Sequence, residues 1–347
     1  LSATNDDEAR IDVPSNLAVH LVKGCNSSFL NRLQVANYGL NLREMHAEHP
    51  IDLLHHNGIW LKCAHEVISM GVRNKVPVVL SPRGMVEIWS MKYKRLIKVA
   101  AWKLYQRRDL EKVTAFHATS QSEAMGLRRL GLKQPIAVIP NGIDKDELCA
   151  SDGGAHATGP KVMLYLSRLS HKKGIDLLIE AWNQLQPEGW ELWIAGNDTS
   201  GISKDLGKLV MQGKHSIHLL GPAFGSKKVE FFQRANVFVL PSRSENFGNV
   251  VLEALLSELP VIATTGTPWE ILEAAECGWC VKPTVDALKG AINHAVNLPE
   301  DSRNEMGRRG RELVLDQYQW TTVASSMGLF YNWLLHGGER PEFVSVL

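Results

Sequence analysis

The sequence predicts an α/β protein built from two doubly wound, parallel-sheet domains that face a cleft. Three observations lead to that class. Short, unbroken apolar runs alternate with helical patterns through the first half of the chain. A stretch with little to bury interrupts them, and the same alternation then restarts. Apolar runs without a polar face are what strands covered on both sides look like, and parallel sheets are covered on both sides. Ligands of such sheets bind beyond the carboxyl ends of the strands.

In order, residues 17–22 are a strand candidate and 29–45 a helix. A strand over 51–55 precedes a helix over 59–72, and a strand over 76–80 precedes a long helix over 91–110. Residues 114–118 form a strand, 120–130 a helix and 136–139 a strand. Pro140-Asn141-Gly142-Ile143-Asp144 is a turn cluster, and residues 151–160, rich in Gly, Ala and Ser, read as a linker. Beyond it, strands are expected over 162–166, 191–195, 217–220, 237–240, 261–263 and 279–281, with helices between them, one over 174–185. Helical stretches over 285–296, 302–318 and 321–335 follow. Domains are therefore expected over residues 1–150 and 151–318, with a helical segment over 319–347. Leu1-Ser2-Ala3-Thr4 reads as a strand end entering a polar loop, so the first domain is expected to lack its first strand and helix.

Composition narrows the function. A chain of 347 residues with 44% apolar content supports two cores. A net charge of +1 with 22% charged residues gives no general attraction to nucleic acid and no signature of disorder. No apolar run approaches the roughly 20 residues of a membrane span. Five scattered cysteines suit a reducing compartment, which points to the cytoplasm. Cys277-Gly278-Trp279-Cys280 has redox-motif spacing, but Cys280 runs into Val281 as a strand and no helix opens at Cys277, so the spacing reads as incidental. No metal is expected, because no Asp-x-Asp pair stands at a strand end and no His/Cys ligand spacing occurs.

The chemistry gathers after two strands. Ser167-Arg168-Leu169-Ser170-His171-Lys172-Lys173-Gly174 joins the first strand of the second domain to its first helix. Arg168 offers a planar donor fork and Lys173 a mobile point charge, a pair suited to a pyrophosphate. After the strand 237–240, Pro241 and Ser242 stop the strand; Ser244, Asn246 and Gly248 supply turn chemistry; and a helical pattern follows. Backbone N–H groups at that helix start favour phosphate. Glu245 lies in the turn and Glu253 about two helical turns further on. Carboxylates repel phosphate and suit neutral hydroxyls, so a ligand carrying both phosphates and sugars fits the arrangement.

PSRSENFGNVVLEAL resembles the glutamate-x7-glutamate signature of glycosyltransferase family 4, the retaining, nucleotide-sugar-dependent enzymes of the GT-B fold. RLSHKKG resembles that family's arginine-leucine-x3-lysine-glycine motif. The resemblance implies two Rossmann-like domains, with the last helix crossing back onto the N-terminal domain; Trp320 and the stripe over 331–335 are candidates for that contact. It implies that Arg168 and Lys173 hold the donor diphosphate, Glu245 the sugar hydroxyls and Glu253 the ribose. Asn246, Phe247 and Gly248 present N–H groups to the distal phosphate or sugar, and Gly196 and Gly221 lie near the nucleotide. The catalytic set is then Arg168, Lys173 and Glu245, with no cofactor.

The first domain departs from the family pattern. Asp52-Leu53-Leu54-His55-His56-Asn57-Gly58-Ile59-Trp60 carries Asn57 where the family has a histidine before the glycine, and Ser81-Pro82-Arg83-Gly84-Met85 carries Arg83 in another histidine's place. Both stand on the acceptor or sugar side. Arginine bonds a hydroxyl or phosphate but accepts protons poorly. Lys92, Lys94, Arg95, Lys98, Lys103, Arg107 and Arg108 load one helix with cations between Tyr93, Leu96, Ile97, Trp102 and Leu104, a pattern suited to an anionic membrane face.

The expectation is thus a hexosyltransferase acting from a nucleoside-diphosphate sugar on a glycan or lipid-linked acceptor, in surface polysaccharide or lipopolysaccharide assembly, at the inner face of the plasma membrane. The same architecture also serves sugar-nucleotide 2-epimerases, and Asn57 and Arg83 leave open a non-catalytic, nucleotide-binding subunit.

Overall fold

The structure, a computed structural model, describes residues 31–87, 90, 95–146, 159–198, 200–211 and 216–346. The expected strand over 17–22, most of the linker, and Lys92 and Lys94 lie outside them. The chain divides into two compact units. One comprises residues up to Ala118, Ala124–Val138 and Gly328 onward; the other comprises Thr119–Glu123 and Ile139–Met327.

In the first unit, α1 (Asn31–Glu48) precedes β1 (Leu54–Asn57), α2 (Lys62–Asn74) and β2 (Val78–Ser81). Then come α3 (Arg95–Ala101), a π-helical turn over Trp102–Gln106, α4 (Arg107–Leu110), β3 (Ala115–Ala118), α5 (Gln121–Arg129) and β4 (Ile136–Val138). The four strands lie side by side in chain order and parallel. β2 and β3 are buried along their whole length, hence their unbroken apolar character. Helix α2 begins later than its sequence suggests, because Gly58 and Trp60 take positive φ (91° and 73°) and turn the chain first. The Trp60 N–H then donates to the buried Gln106 side chain at 2.9 Å. Gln106 closes the π turn, so the single helix expected over 91–110 is interrupted.

The second unit contains β5 (Lys161–Leu166), a 3₁₀ turn (His171–Lys173), α6 (Ile175–Leu185), β6 (Trp190–Ala195), α7 (Ser203–Met211) and β7 (Ile217–Gly221). α8 (Ser226–Arg234), β8 (Val237–Leu240), α9 (Asn249–Leu256), β9 (Val261–Thr264), α10 (Ile271–Ala274) and β10 (Gly278–Val281) follow. α11 (Val285–Asn297), α12 (Glu300–Gln317) and α13 (Trp320–His336) complete the helices. All six strands are parallel, in the order β10-β9-β8-β5-β6-β7. The order reverses direction between β5 and β8, the switch point at which doubly wound sheets bind ligands. Val162–Tyr165, Val237–Leu240 and Val261–Ala263 are wholly buried and form the heart of this core.

The division falls at Val138/Ile139, earlier than the expected residue 150. Ile143 is tied to the second unit: its N–H donates to the Tyr318 carbonyl at 2.9 Å and its carbonyl accepts from the Trp320 N–H at 3.3 Å. Trp320 belongs to the second unit. Its ring lies against Gly142, where an added Cβ would come within 2.6 Å. The contact expected of the last helix is made by its second half, which belongs to the first unit and brings Tyr331 to His55. A short strand absent from the expectations, β11 (Val344–Ser345), then pairs antiparallel with β4.

Candidate functional site

The loops after β5 and β8 are laced together at the switch point of the second sheet. After β5, the Ser167 N–H donates to the carbonyl of Ala195 at the end of β6, at 3.1 Å, and the Leu169 N–H to that of Asn197 just beyond it, at 2.9 Å. The Tyr165 hydroxyl, whose phenol burial pushes above its ordinary range, donates to the Arg168 carbonyl at 3.0 Å. Two glycines allow this closeness. A Cβ on Gly174 would lie 2.1 Å from the Pro241 carbonyl oxygen, and one on Gly196 would lie 1.8 Å from that of Ser167. The Arg243 N–H donates to the Lys172 carbonyl and the Glu245 N–H to that of Gly266, at 2.9 and 2.7 Å, so the loops after β5, β8 and β9 form one layer.

Of the residues expected to bind a donor, the structure joins several directly. Lys173 and Glu245 form an ion pair that is almost fully buried. Glu253 pairs with Lys228 of α8 at 2.8 Å, also largely out of solvent. Both acids of the motif are therefore matched by lysines within the unit, which removes their repulsion for a phosphate. Arg168 is exposed at the loop surface. The Gly196 N–H donates to the Gly221 carbonyl at 2.8 Å, so these two glycines also meet. Gly248 caps α9 in a left-handed conformation (φ 84°). The Asn246 amide donates to the Thr119 hydroxyl at 2.8 Å, while its Oδ1, and the Ser242 hydroxyl, are buried without a hydrogen-bond partner among the described residues.

Three supporting groups escaped the sequence reading. The Arg243 guanidinium grips Asp176 with two bonds of 2.6 and 2.7 Å and donates to the His171 carbonyl at 2.8 Å. Burial raises the Asp176 carboxyl, and the bonds and charge of Arg243 more than offset this, leaving it below the usual carboxylate range. Trp269 donates its indole N–H to the Phe247 carbonyl at 2.6 Å and, with Tyr318, packs around the buried Phe247 ring. Lys228 is the third. Each lies far along the chain from its partner, and the one available signal was an aromatic or charge at a strand or helix end. Cys277 and Cys280 have thiols pushed up to about 11, chiefly by burial, in keeping with incidental spacing.

At the corresponding edge of the first sheet, Asn57 ends β1 and Arg83 follows β2; the Arg83 Nε–H donates to Asn57 Oδ1 at 2.8 Å. Beneath them runs a chain of polar groups. Tyr331 is hydrogen-bonded to His55 Nδ1, His55 Nε2 meets Ser81 at 2.6 Å, and Ser81 meets His117 Nδ1 at 2.7 Å. Burial, then the charges of His117, Arg83 and His56, hold His55 down to about 3. Burial raises the Tyr331 phenol against the opposing effect of Arg83. His117 had no role in the sequence reading, where a polar residue closing an apolar strand was the available hint, and Tyr331 figured there only in the packing of the last helix, not at the site.

The cationic helix is less free than its sequence suggests. Lys98 lies 5.5 Å over the Trp60 ring and donates to the Ser90 carbonyl, and Arg107 pairs with Glu111. Leu96 and Leu104 stand 87% and 71% exposed.

The family model described as Glycosyltransferase Family 4 matches residues 2–147, and that described as Glycosyl transferases group 1 matches residues 151–313. The chain is 27% identical over 244 residues to a glycogen synthase of Mycobacterium tuberculosis, covering 68% of this chain and 57% of that protein. It thus spans little more than half the length of that relative. It is 25% identical to the GDP-mannose:cellobiosyl-diphosphopolyprenol alpha-mannosyltransferase of Xanthomonas campestris, over 91% of this chain and 83% of that protein. Anabaena Alr3699/HepE, solved with UDP and glucose, shares the fold with a TM-score of 0.71 at 18% identity, covering 89% of this chain and 84% of that one. By these two family models the chain belongs among the glycosyltransferase families, family 4 over its first half and group 1 over its second, and it has the GT-B architecture.

Proposed function

We propose that the chain transfers a hexose, with retention of configuration, from a nucleoside-diphosphate sugar to a glycan or lipid-linked acceptor in surface polysaccharide or lipopolysaccharide assembly. The observation that carries this is the meeting of Lys173 and Glu245, from different loops, at the sheet's switch point. In this reading Arg168 and Lys173 face the diphosphate, and Glu245 takes a sugar hydroxyl. Glu253, held by Lys228, takes the ribose, with Gly196 and Gly221 beside the nucleotide. Backbone N–H groups of Asn246, Phe247 and Gly248 meet the distal phosphate or sugar. As the sugar C1–O bond to the diphosphate breaks, its electron pair moves onto the phosphate oxygen, where the two cations stabilise the growing charge. The new C1–O bond forms to the acceptor hydroxyl on the same face, and the acceptor proton leaves to that phosphate oxygen. With these cations doing that work, the reaction as proposed needs no metal or cofactor.

A thermal-shift panel of UDP, GDP, ADP and their sugars tests the donor assignment, since a ligand held at 100 times its Kd adds about 2.7 kcal/mol. Stabilisation by one base family, absent in Arg168→Ala, is the expected result; a chain indifferent to the whole panel refutes the assignment. The anomeric configuration of the product, by NMR, decides retention.

We also propose contact with the inner face of the plasma membrane through residues 92–108, supported by the exposure of Leu96 and Leu104 on this cation-rich stretch. Among the described residues no helix is long and apolar enough to cross a membrane. Salt-sensitive co-sedimentation with anionic but not zwitterionic vesicles is expected, and its absence disposes of the contact.

A further inference from the structure

The polar edge of the first sheet has features that sugar-hydroxyl recognition alone does not call for. Arg83 sits at φ 53° and Gly84 at φ 77°, in a turn closed by the Met85 N–H on the Pro82 carbonyl at 3.2 Å. A residue with a side chain holds that backbone only when its surroundings demand it. The turn sets an exposed guanidinium beside Asn57, whose amide oxygen receives Nε–H and so fixes the plane of the donor fork.

The groups below add no negative charge. His55 and Tyr331 are held uncharged, and none of the side chains in the chain Tyr331–His55–Ser81–His117 is a carboxylate. Arginine stays charged at any working pH and its fork matches two oxygens at once, so it suits phosphate or carboxylate far better than a neutral hydroxyl.

We propose that Arg83, braced by Asn57, recognises an anionic group on the acceptor, either a phosphate ester or a sugar carboxylate. The inference rests on the transferase reading above and narrows its acceptor. The phosphate arises where the acceptor sugar is linked to a lipid through phosphate; the carboxylate arises where it is a uronic acid.

The test uses the whole chain with the donor site filled by saturating nucleoside diphosphate, so that added anions do not occupy it. Glucose 1-phosphate, glucuronate and glucose are then titrated by calorimetry. One of the two anionic sugars is expected to bind at least tenfold tighter than glucose, and which one does so separates phosphate from carboxylate. Arg83→Gln is expected to abolish that preference while leaving nucleoside-diphosphate affinity within twofold. Arg83→Lys keeps part of it, and Asn57→Ala, which frees the fork without removing its charge, weakens it by a smaller factor. Equal binding of all three sugars by the unmodified chain, or a preference that survives Arg83→Gln, overturns the proposal. Failure to bind any nucleoside diphosphate counts instead against the donor assignment, and the sugar comparison is still read without it.

Discussion

The carboxyl edges of the two sheets handle charge in opposite ways. At the switch point of the second unit, charges are held in pairs: Lys173 with Glu245, Lys228 with Glu253, Arg243 with Asp176. At the edge of the first unit, a buried network stays uncharged through shared hydrogen bonds, and one arginine stands above it. The first arrangement holds charges in place by pairing them. The second keeps a neutral floor under one fixed cation. Substitutions should therefore do different damage at the two edges.

The largest effect is expected from Lys173→Met. It leaves Glu245 buried without its partner, which typically costs about 3–5 kcal/mol. On the proposed mechanism it also removes a cation facing the leaving group, for a loss of roughly 10²–10³ in turnover. Chemical denaturation and steady-state kinetics on the same preparation read both. Arg83→Gln sharpens the contrast, because the exposed guanidinium should leave the denaturation midpoint almost unchanged.

Next is Gly196→Ala. Its Cβ would meet a backbone carbonyl that cannot move aside as a side chain would, so about 1–3 kcal/mol of overpacking strain is expected, visible as a lowered Tm.

The neutral network makes a pH prediction. His55 is held to about 3 in the folded chain against an ordinary 6.5, with His117, Arg83, His56, Ser81 and Tyr331 around it. The unfolded chain therefore binds the extra proton first. Stability from this group is complete above about pH 6.5 and declines as pH falls towards about 3, by at most ~1.4 kcal/mol per pH unit. Urea midpoints between pH 7 and 5 should fall in the unmodified chain and fall less in His55→Gln; equal slopes would break the prediction.

The smallest effect on turnover is expected from Lys228→Met, although Glu253, as buried as Glu245, also loses its lysine. Glu253 loses its orientation, and nucleoside-diphosphate affinity drops a few-fold while turnover at saturation holds. An unchanged Kd would show that Glu253 is positioned without it.

These contrasts also explain what the sequence revealed. The strand–turn–helix that carries Glu245 and Glu253 was legible because its signals are local: Pro241 and Ser242 follow β8, and Gly248 caps α9. The repeated apolar runs announced both parallel sheets, since β5, β8 and β9 are buried on both faces. The partners that secure the motifs were illegible, because Arg243–Asp176 and Phe247–Trp269 form only after distant segments fold together. Tyr331 and His55 are the extreme case, separated by most of the chain. The π turn stayed hidden because it depends on Gln106 reaching the Trp60 N–H, a contact that no periodicity encodes.

The two-residue pairing of β11 on β4 has a practical consequence. It caps the open flank of the first sheet with a strand too short to recruit a neighbour, secured by Arg128 on the Ser345 carbonyl at 3.1 Å. Cutting the chain after His336 would bare the β4 hydrogen-bonding groups and favour self-association, whatever became of turnover. Affinity handles are better placed away from this seam.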